Sequence, residues 1–420
     1  MRPLLRKINE DELQLLDWEE ITRLLSTHAY FEKTREMFSR PPDIKGTNEI
    51  LTDFTILDQF VNLGEGRDHL SSLFAKFHLP QDHESYKDFQ LLPKGKVLQV
   101  EQINLSALII EWSQQVLRKL SDTIGKEHRL PLPAHSPSLQ NYKHEVRKLI
   151  DSSGQIHYDN HPELKKLSEE KKNIEFRLRT KTQELIRDED FGPRLQHHQH
   201  DVIHDRYVLA VRSDSYRGEM GFIVAKSASG QTLYIEPFPL RELSNKRIYI
   251  LAQIEEIIER ICQNFTEDLA HSFEDFFQRL EALTTMDDYL TRADFICRNE
   301  LNRPELSESP EIQLTQCFHP LLDDPVKNDI SITSDSNGLM ISGPNTGGKT
   351  VLLKSVAISY LFLYKGLYVP AERAQLYPFK SLFFFSHDHQ NLSKGLSSFA
   401  SEVLSYLKML ESLNMEEAQN

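Results

Sequence analysis

The chain has 420 residues, 39% of them hydrophobic and 27% charged, with a net charge of −14. That length gives room for two or three domains with real cores, the balance excludes a disordered chain, and the charge excludes a surface that is basic throughout. No run reaches the roughly 18 apolar residues of a membrane helix, and the opening MRPLLRKINEDELQLLDWEE lacks the apolar core and cleavage site of a secretory signal.

Residues 1–140 read as helical, because LQLLDWEEITRLLSTH, ILTDFTILDQFVNLG and the stretch Asn104 to Leu120 repeat apolar residues three and four apart. RLPLPAHSP, from Arg129 to Pro137, holds three prolines and breaks the pattern, so a boundary is expected there. A heptad-like seam follows through Leu164, Leu167, Lys171, Ile174, Leu178, Lys181 and Leu185, a coiled-coil pattern. A second periodicity returns through Ile254, Ile258, Ile261, Phe265, Leu269, Phe273, Phe276, Leu280 and Leu283. Two long helices around a short-stranded insert predict an antiparallel arm with a small β tip.

The tip strands are expected at Tyr207–Val211, Gly221–Ala225 and Gln231–Ile235, with Gly218 and Ser229-Gly230 supplying turns. Arg206, Arg212, Arg217 and Lys226 flank them. Exposed cations suit phosphate contact, and residues 161–226 carry 13 Lys and Arg against 12 Asp and Glu. A mixed-charge solvated tip fits the same composition, and charge alone favours it. His197, His198, His200 and His204 cluster here, but no cysteine or firm helix supports a metal site, and they read as a solvated loop. Cys262, Cys297 and Cys317 are scattered and odd in number, which reads as thiols of a reducing compartment, the cytoplasm.

From about 311 strand and helix alternate in an α/β pattern. Gly343-Pro344-Asn345-Thr346-Gly347-Gly348-Lys349-Thr350 has the spacing of a phosphate-binding loop. Leu339 to Ser342 is predicted as the strand before it, and Val351 to Tyr364, closed by Gly366, as the helix after it. Glycines let successive amides turn toward an anion, and the helix N-terminus adds positive potential. Lys349 can reach the β and γ phosphates and the Thr350 hydroxyl can bind Mg²⁺, so ATP or ADP with Mg²⁺ is the expected ligand set. Hydrolysis also needs an acidic residue ending a second apolar strand. Leu382 to Phe385, followed by Ser386, His387 and Asp388, is the candidate. It reads as a buried strand with Asp388 in a loop, and it lacks an Asp–Glu pair.

The inner residues Pro344-Asn345-Thr346-Gly347 are unusual for such loops, and GPNTGGKT closely resembles the MutS family of DNA mismatch-repair ATPases. His319-Pro320-Leu321-Leu322 and Asn328-Asp329 before the loop, Tyr368-Val369-Pro370-Ala371 after its helix, and Gly395-Leu396-Ser397-Ser398-Phe399 further on look like the same family. Arg206-Tyr207-Val208-Leu209, Tyr216-Arg217-Gly218 and the run Ser227 to Pro237 resemble the clamp of its second bacterial branch, MutS-II, which lacks a mismatch-reading domain and normally adds a Smr nuclease domain. Phe265-Thr266-Glu267 has the letters of a mismatch-reading motif but lies in the returning helix, so its reading is structural.

The resemblance implies a helical core over 1–140, arm helices with their clamp over 141–300 (β tip about 205–237), and the N-terminal part of a P-loop ATPase domain over 301–420. It implies a homodimer encircling mismatched or branched DNA, with nucleotide state coupled to clamp closure. Gly343, Pro344, Asn345, Thr346, Gly347, Gly348, Lys349 and Thr350 would hold nucleotide, Thr350 with Mg²⁺. Ser397 would reach the partner's γ-phosphate and join Lys349 in catalysis, although the residue alone reads as a helix N-cap. The family's Asp–Glu strand and Smr domain are not met, so the expectation is an ATPase domain begun but unfinished, impaired in hydrolysis. A non-catalytic scaffold that binds partners is the alternative. A third reading keeps the same engine acting on ribosomal RNA, since MutS-II relatives are also associated with stalled ribosomes.

Overall fold

A computed structural model describes residues 10–76, 83–124, 133, 135–336, 338–344, 347–385, 403, 406, 407, 409 and 410. Helices α1 (Glu10–Leu15), α2 (Trp18–Ser26), α3 (Glu32–Ser39), α4 (Thr47–Val61), α5 (Glu65–Lys76), α6 (His83–Gln90), α7 (Val100–Ile124), α8 (Pro137–Leu149) and α9 (Pro162–Arg187) come first. Strands β1 (Leu195–Ile203), β2 (Arg206–Arg212), β3 (Gly221–Lys226) and β4 (Thr232–Pro237) interrupt the helical order. Helices α10 (Phe238–His271) and α11 (Phe273–Arg298) follow, then β5 (Glu305–Leu306), β6 (Ile312–Cys317), β7 (Asn328–Ile332), α12 (Lys349–Lys365) and β8 (Arg373–Leu376). The chain divides into two compact units, one of residues 1–84, 112–133 and 278–420, the other of residues 85–111 and 134–277.

The first unit wraps aromatic residues around α12. Trp18 meets Phe362 edge-on at 6.3 Å, Phe295 meets Phe362 at 6.1 Å, and Phe74 meets Trp112 at 4.8 Å. Its sheet runs β5-β8-β6-β7, with β6 antiparallel to both neighbours and β5 parallel to β8. Helix α12 begins after Gly348 at φ 75° and ends at Gly366, also at φ 75°. Both are left-handed positions that an L side chain adopts at a cost, so the two glycines mark the helix ends.

Two predicted strands are absent from that sheet. Residues 338–344 and 381–385 carry no strand pairing, and Leu339 and Met340 are 47% and 91% exposed. An apolar run becomes a strand only where a neighbouring edge supplies its ladder of hydrogen bonds. None of the described strands pairs with either segment.

Asp287 on α11 shows how the unit is closed. Its carboxylate accepts the Tyr30 and Phe31 amides at 3.1 and 2.9 Å, tying the segment before α3 to α11. Burial raises the group from the ordinary 3.8 to about 6, against the lowering effect of those amides and of Thr34. The fold therefore keeps a proton that the unfolded chain has lost, and stability falls as pH rises from about 4 to about 6. Asp287→Asn abolishes this titration. Melting temperatures across pH 4–6.5 will show wild type losing roughly 2–3 kcal/mol relative to the variant.

In the second unit α9 and α10 lie antiparallel, because Glu163 pairs with Arg260 at 2.6 Å while Glu175 pairs with Arg247 at 3.0 Å. Leu164, Ile174 and Leu178 interlock with Leu240, Leu243, Ile250, Ile254 and Ile257. The predicted seam residues Leu167, Leu185, Ile258 and Ile261 are partly buried and pack against the same core, whereas Lys181 is exposed. Thr182, not Lys181, is buried after Leu178, its hydroxyl donating to the Leu178 carbonyl at 2.7 Å. On α10 the predicted Ile254 and Leu269 are buried, together with Ile257, Cys262 and Thr266, which lie one position from the half-buried Ile258, Ile261 and Phe265. Thr266 accepts the Leu98 amide at 3.0 Å, and the half-buried Phe265 packs edge-on against Tyr142 at 6.1 Å.

At the turn between α9 and α10, β1 to β4 form an antiparallel sheet in the order β1-β2-β4-β3. Leu195, Leu209, Val211, Leu233, Ile235 and Met220 fill one face. Both outer strands carry a break in register, β1 between Leu195 and His200 and β3 between Ile223 and Ala225. Strand β1 was not foreseen. It takes in His197, His198 and His200, because its hydrophobic signal is confined to Leu195, Val202 and Ile203.

Candidate nucleotide-binding site

The loop 343–350 is described at Gly343, Pro344 and Gly347–Thr350; Asn345 and Thr346 lie outside the described residues, as do Ser397, His387, Asp388 and His389. The Gly347 amide donates to the Pro344 carbonyl at 3.0 Å, closing the turn. A Cβ on Gly347 would sit 3.0 Å from that same oxygen, so the turn has little room for a side chain. Gly348 is the N-cap of α12 and makes no side-chain cap bond, which leaves first-turn amides facing out of the helix end.

Lys349 folds back over this end. Its ammonium donates to the carbonyls of Gly343 and Pro344 at 2.5 and 2.7 Å. Thr350, the next residue, is exposed. Out-turned amides, a helix N-terminus and a primary ammonium on one small loop fit a polyphosphate. An exposed hydroxyl beside them fits a hard cation bound to it.

Both ends of α12 are fixed by charged side chains. Near the N-terminal end, Lys354 donates to the Asp17 carboxylate at 2.7 Å, and the buried His319 places Nε2 at 3.7 Å from the same oxygen. His319 accepts the Leu321 amide through Nδ1 at 3.4 Å, and burial holds it below the ordinary imidazole range. Sequence reading passed over Asp17 and Lys354, which are 337 positions apart. At the C-terminal end, Arg292 donates to the Gly366 carbonyl at 3.0 Å and pairs with Asp53 at 3.0 Å and with Asp288. Lys365, one residue before Gly366, donates to the Met37 and Arg40 carbonyls at 2.6 and 3.0 Å, and burial brings it down to about 8.

The four cations of the tip stand in different circumstances. Arg206 donates to both oxygens of the buried Glu236 at 2.9 and 2.7 Å, so moving it would strand a buried carboxylate. Arg212 donates to the Pro193 carbonyl at 2.9 Å. Arg217 is 61% exposed and lies 3.8 Å from Glu219. Lys226 is exposed at the end of β3. Of the histidines, His200 stacks on Tyr207 at 5.0 Å and His197 lies 3.7 Å from Asp201. Among the described residues no group of three or more His, Cys, Asp or Glu is placed to hold a metal ion. None of the described helices is long and apolar enough to cross a membrane.

Residues 339–417 match the family described as MutS domain V. Endonuclease MutS2 of Bacillus cytotoxicus is 27% identical over 415 residues, covering 97% of this chain and 52% of that protein. Endonuclease MutS2 of Geobacillus kaustophilus is 33% identical over 287 residues, covering 67% of this chain and 36% of that protein. The protein of the same name in Brevibacillus brevis is 29% identical over 296 residues, covering 69% and 38%. The chain spans about half the length of the first two curated relatives it matches.

Proposed function

We propose that this chain, which belongs to the MutS family, binds ATP or ADP at residues 343–350 and DNA at its β tip, nucleotide state setting the grip on DNA. The observation that carries the first half is the loop itself. Lys349 and the first-turn amides of α12 converge on one small turn beside Thr350. In this reading Lys349 faces the β and γ phosphates, Asn345 and Thr346 complete the loop, and Thr350 holds Mg²⁺. A cation held there would supply positive charge to offset that of the phosphates. The protein's own part is to position the anion and bias a two-state clamp.

The proposal keeps the three-part division of the chain, with a helical core over 1–140, arm and clamp over 141–300, and nucleotide domain over 301–420. It also carries pairing of two chains, with Ser397 reaching across to the partner's γ-phosphate. The word endonuclease in the relatives' names describes proteins about twice as long, and no nuclease step is proposed for these residues.

Titration calorimetry with Mg·ATP and with Mg·ADP tests the first half. Absence of heat from a demonstrably folded chain would end the proposal. A salt titration of binding to branched and to mismatched duplex DNA tests the second. Arg217→Ala and Lys226→Ala are expected each to weaken binding to all sequences alike and to lower the slope of log K against log salt by about 1. Arg206→Ala is expected to act mainly on the stability of the tip, through Glu236. Preference for ribosomes over branched DNA in a pull-down would move the same engine to RNA.

A further inference from the structure

We infer that Asp17 is a positioning residue for the phosphate-binding loop, holding the first turns of α12 through Lys354. The inference rests on the reading of residues 343–350 as a nucleotide site. Asp17 occupies the N-cap of α2, where an aspartate ordinarily accepts the helix's own first-turn amides. Here it makes no side-chain cap bond, and its backbone sits in the left-handed region at φ 55°, ψ 27°. Both are local costs for a residue that is not glycine. The carboxylate is instead turned onto α12, 2.7 Å from the Lys354 ammonium, and toward His319 at 3.7 Å.

Lys354 follows Thr350 by four residues, so the two lie on one face of α12, a turn apart. The neighbouring Trp18 meets Phe362 of the same helix. Apolar contact thus holds α12 against α2, and the ion pair fixes the azimuth of its first turns. The pair is partly exposed, with Lys354 at 22% and Asp17 at 41%, so its share of global stability is small. A displacement of the loop by a fraction of an ångström still weakens a ligand held by several convergent amides. A positioning role therefore predicts an effect on nucleotide affinity with little effect on melting.

The test uses the full chain and Mg·ATP. Asparagine tolerates the left-handed region, so Asp17→Asn keeps the backbone while removing the charge. Asp17→Asn and Lys354→Met are each expected to weaken Mg·ATP about threefold to fivefold, the range open to one partly exposed pair. The double variant should be no weaker than either single one, and the swap Asp17→Lys with Lys354→Asp should recover part of the loss. Hydrogen exchange at residues 350–354 should quicken in Asp17→Asn while exchange elsewhere in α12 stays unchanged. Unaltered affinity in Asp17→Asn, or losses that simply add in the double variant, would overturn the inference. Should wild type bind no Mg·ATP, the nucleotide reading fails on its own, and the exchange measurement decides the positioning role: quickened exchange supports it and unchanged exchange overturns it.

Discussion

Replacing Arg292 with methionine will destabilise the unit built around α12 by about 3–5 kcal/mol, the usual result of removing one member of a buried ion cluster. The guanidinium is 4% exposed. It pairs with Asp53 and Asp288, donates to the Gly366 carbonyl at 3.0 Å, and lies 4.4 Å over the Tyr289 ring. Asp53 also receives Lys45 at 2.6 Å and the Tyr289 hydroxyl at 3.0 Å. Methionine fills similar volume but leaves the Asp53 and Asp288 carboxylates, 11% and 15% exposed, without their guanidinium partner.

The pH dependence identifies the mechanism. Burial pushes the Asp53 carboxyl up, but Arg292 and Lys45 more than reverse this and bring it from 3.8 to about 2. A depressed carboxyl stabilises the fold above its unfolded value and loses that contribution as pH falls toward its folded value. The gap between wild type and Arg292→Met is therefore widest near neutrality and narrows as pH falls from about 4 to about 2. Calorimetric melts across that range measure it. Gly366→Ala tests the same junction sterically, since a Cβ there would lie 2.2 Å from an Asp53 oxygen and 2.5 Å from Arg292 Nη1, at φ +75°.

The second large effect is on ligand binding. Lys349→Ala is expected to weaken Mg·ATP by on the order of a hundredfold, about 2.7 kcal/mol, as befits charge-assisted bonds to two phosphates. Its effect on melting should stay within about 0.5 kcal/mol, since the ammonium donates to carbonyls of an exposed loop. Lys349→Arg should not restore affinity, because a rigid planar fork cannot occupy the place of a compact ammonium. Calorimetry with ATP, ADP and AMP separates the contributions. The loss should be large for the first two and small for AMP, which lacks the phosphates Lys349 is proposed to reach.

Much of this arrangement is written in local sequence. The helical periods predicted α7, α9 and α10, and the turn residues around Gly218 and Ser229-Gly230 marked the tip, because these features depend on neighbours three or four positions away. The turn that starts α12 was legible for a similar reason: Gly347 and Gly348 set it through their own backbone and the helix that follows. Register was less legible. A seam of alternating threes and fours admits two nearly equivalent lines, and packing buries Thr182 and Cys262 more deeply than Lys181 and Ile261. Leu339 to Ser342 and Phe383 to Phe385 are apolar enough for strands, yet strand formation is decided by a partner edge that local sequence does not name. The partner of Arg206, the buried Glu236, lies thirty positions away and gave no local signal. The pairings of Asp17 with Lys354 and of Asp53 with Arg292 gave no signal, since each joins residues more than 200 positions apart.

The interrupted outer strands of the tip have a bearing on concentration. A sheet with two straight, open rims is a template onto which another molecule's strand can add, and that is how small β domains polymerise. Here each rim is kinked at mid-length, at Leu195 to His200 on one side and at Ile223 to Ala225 on the other. An incoming strand cannot stay in register past either kink. Strand addition at either rim is thereby disfavoured, so tips of neighbouring molecules resist fusing into fibrils when they are concentrated.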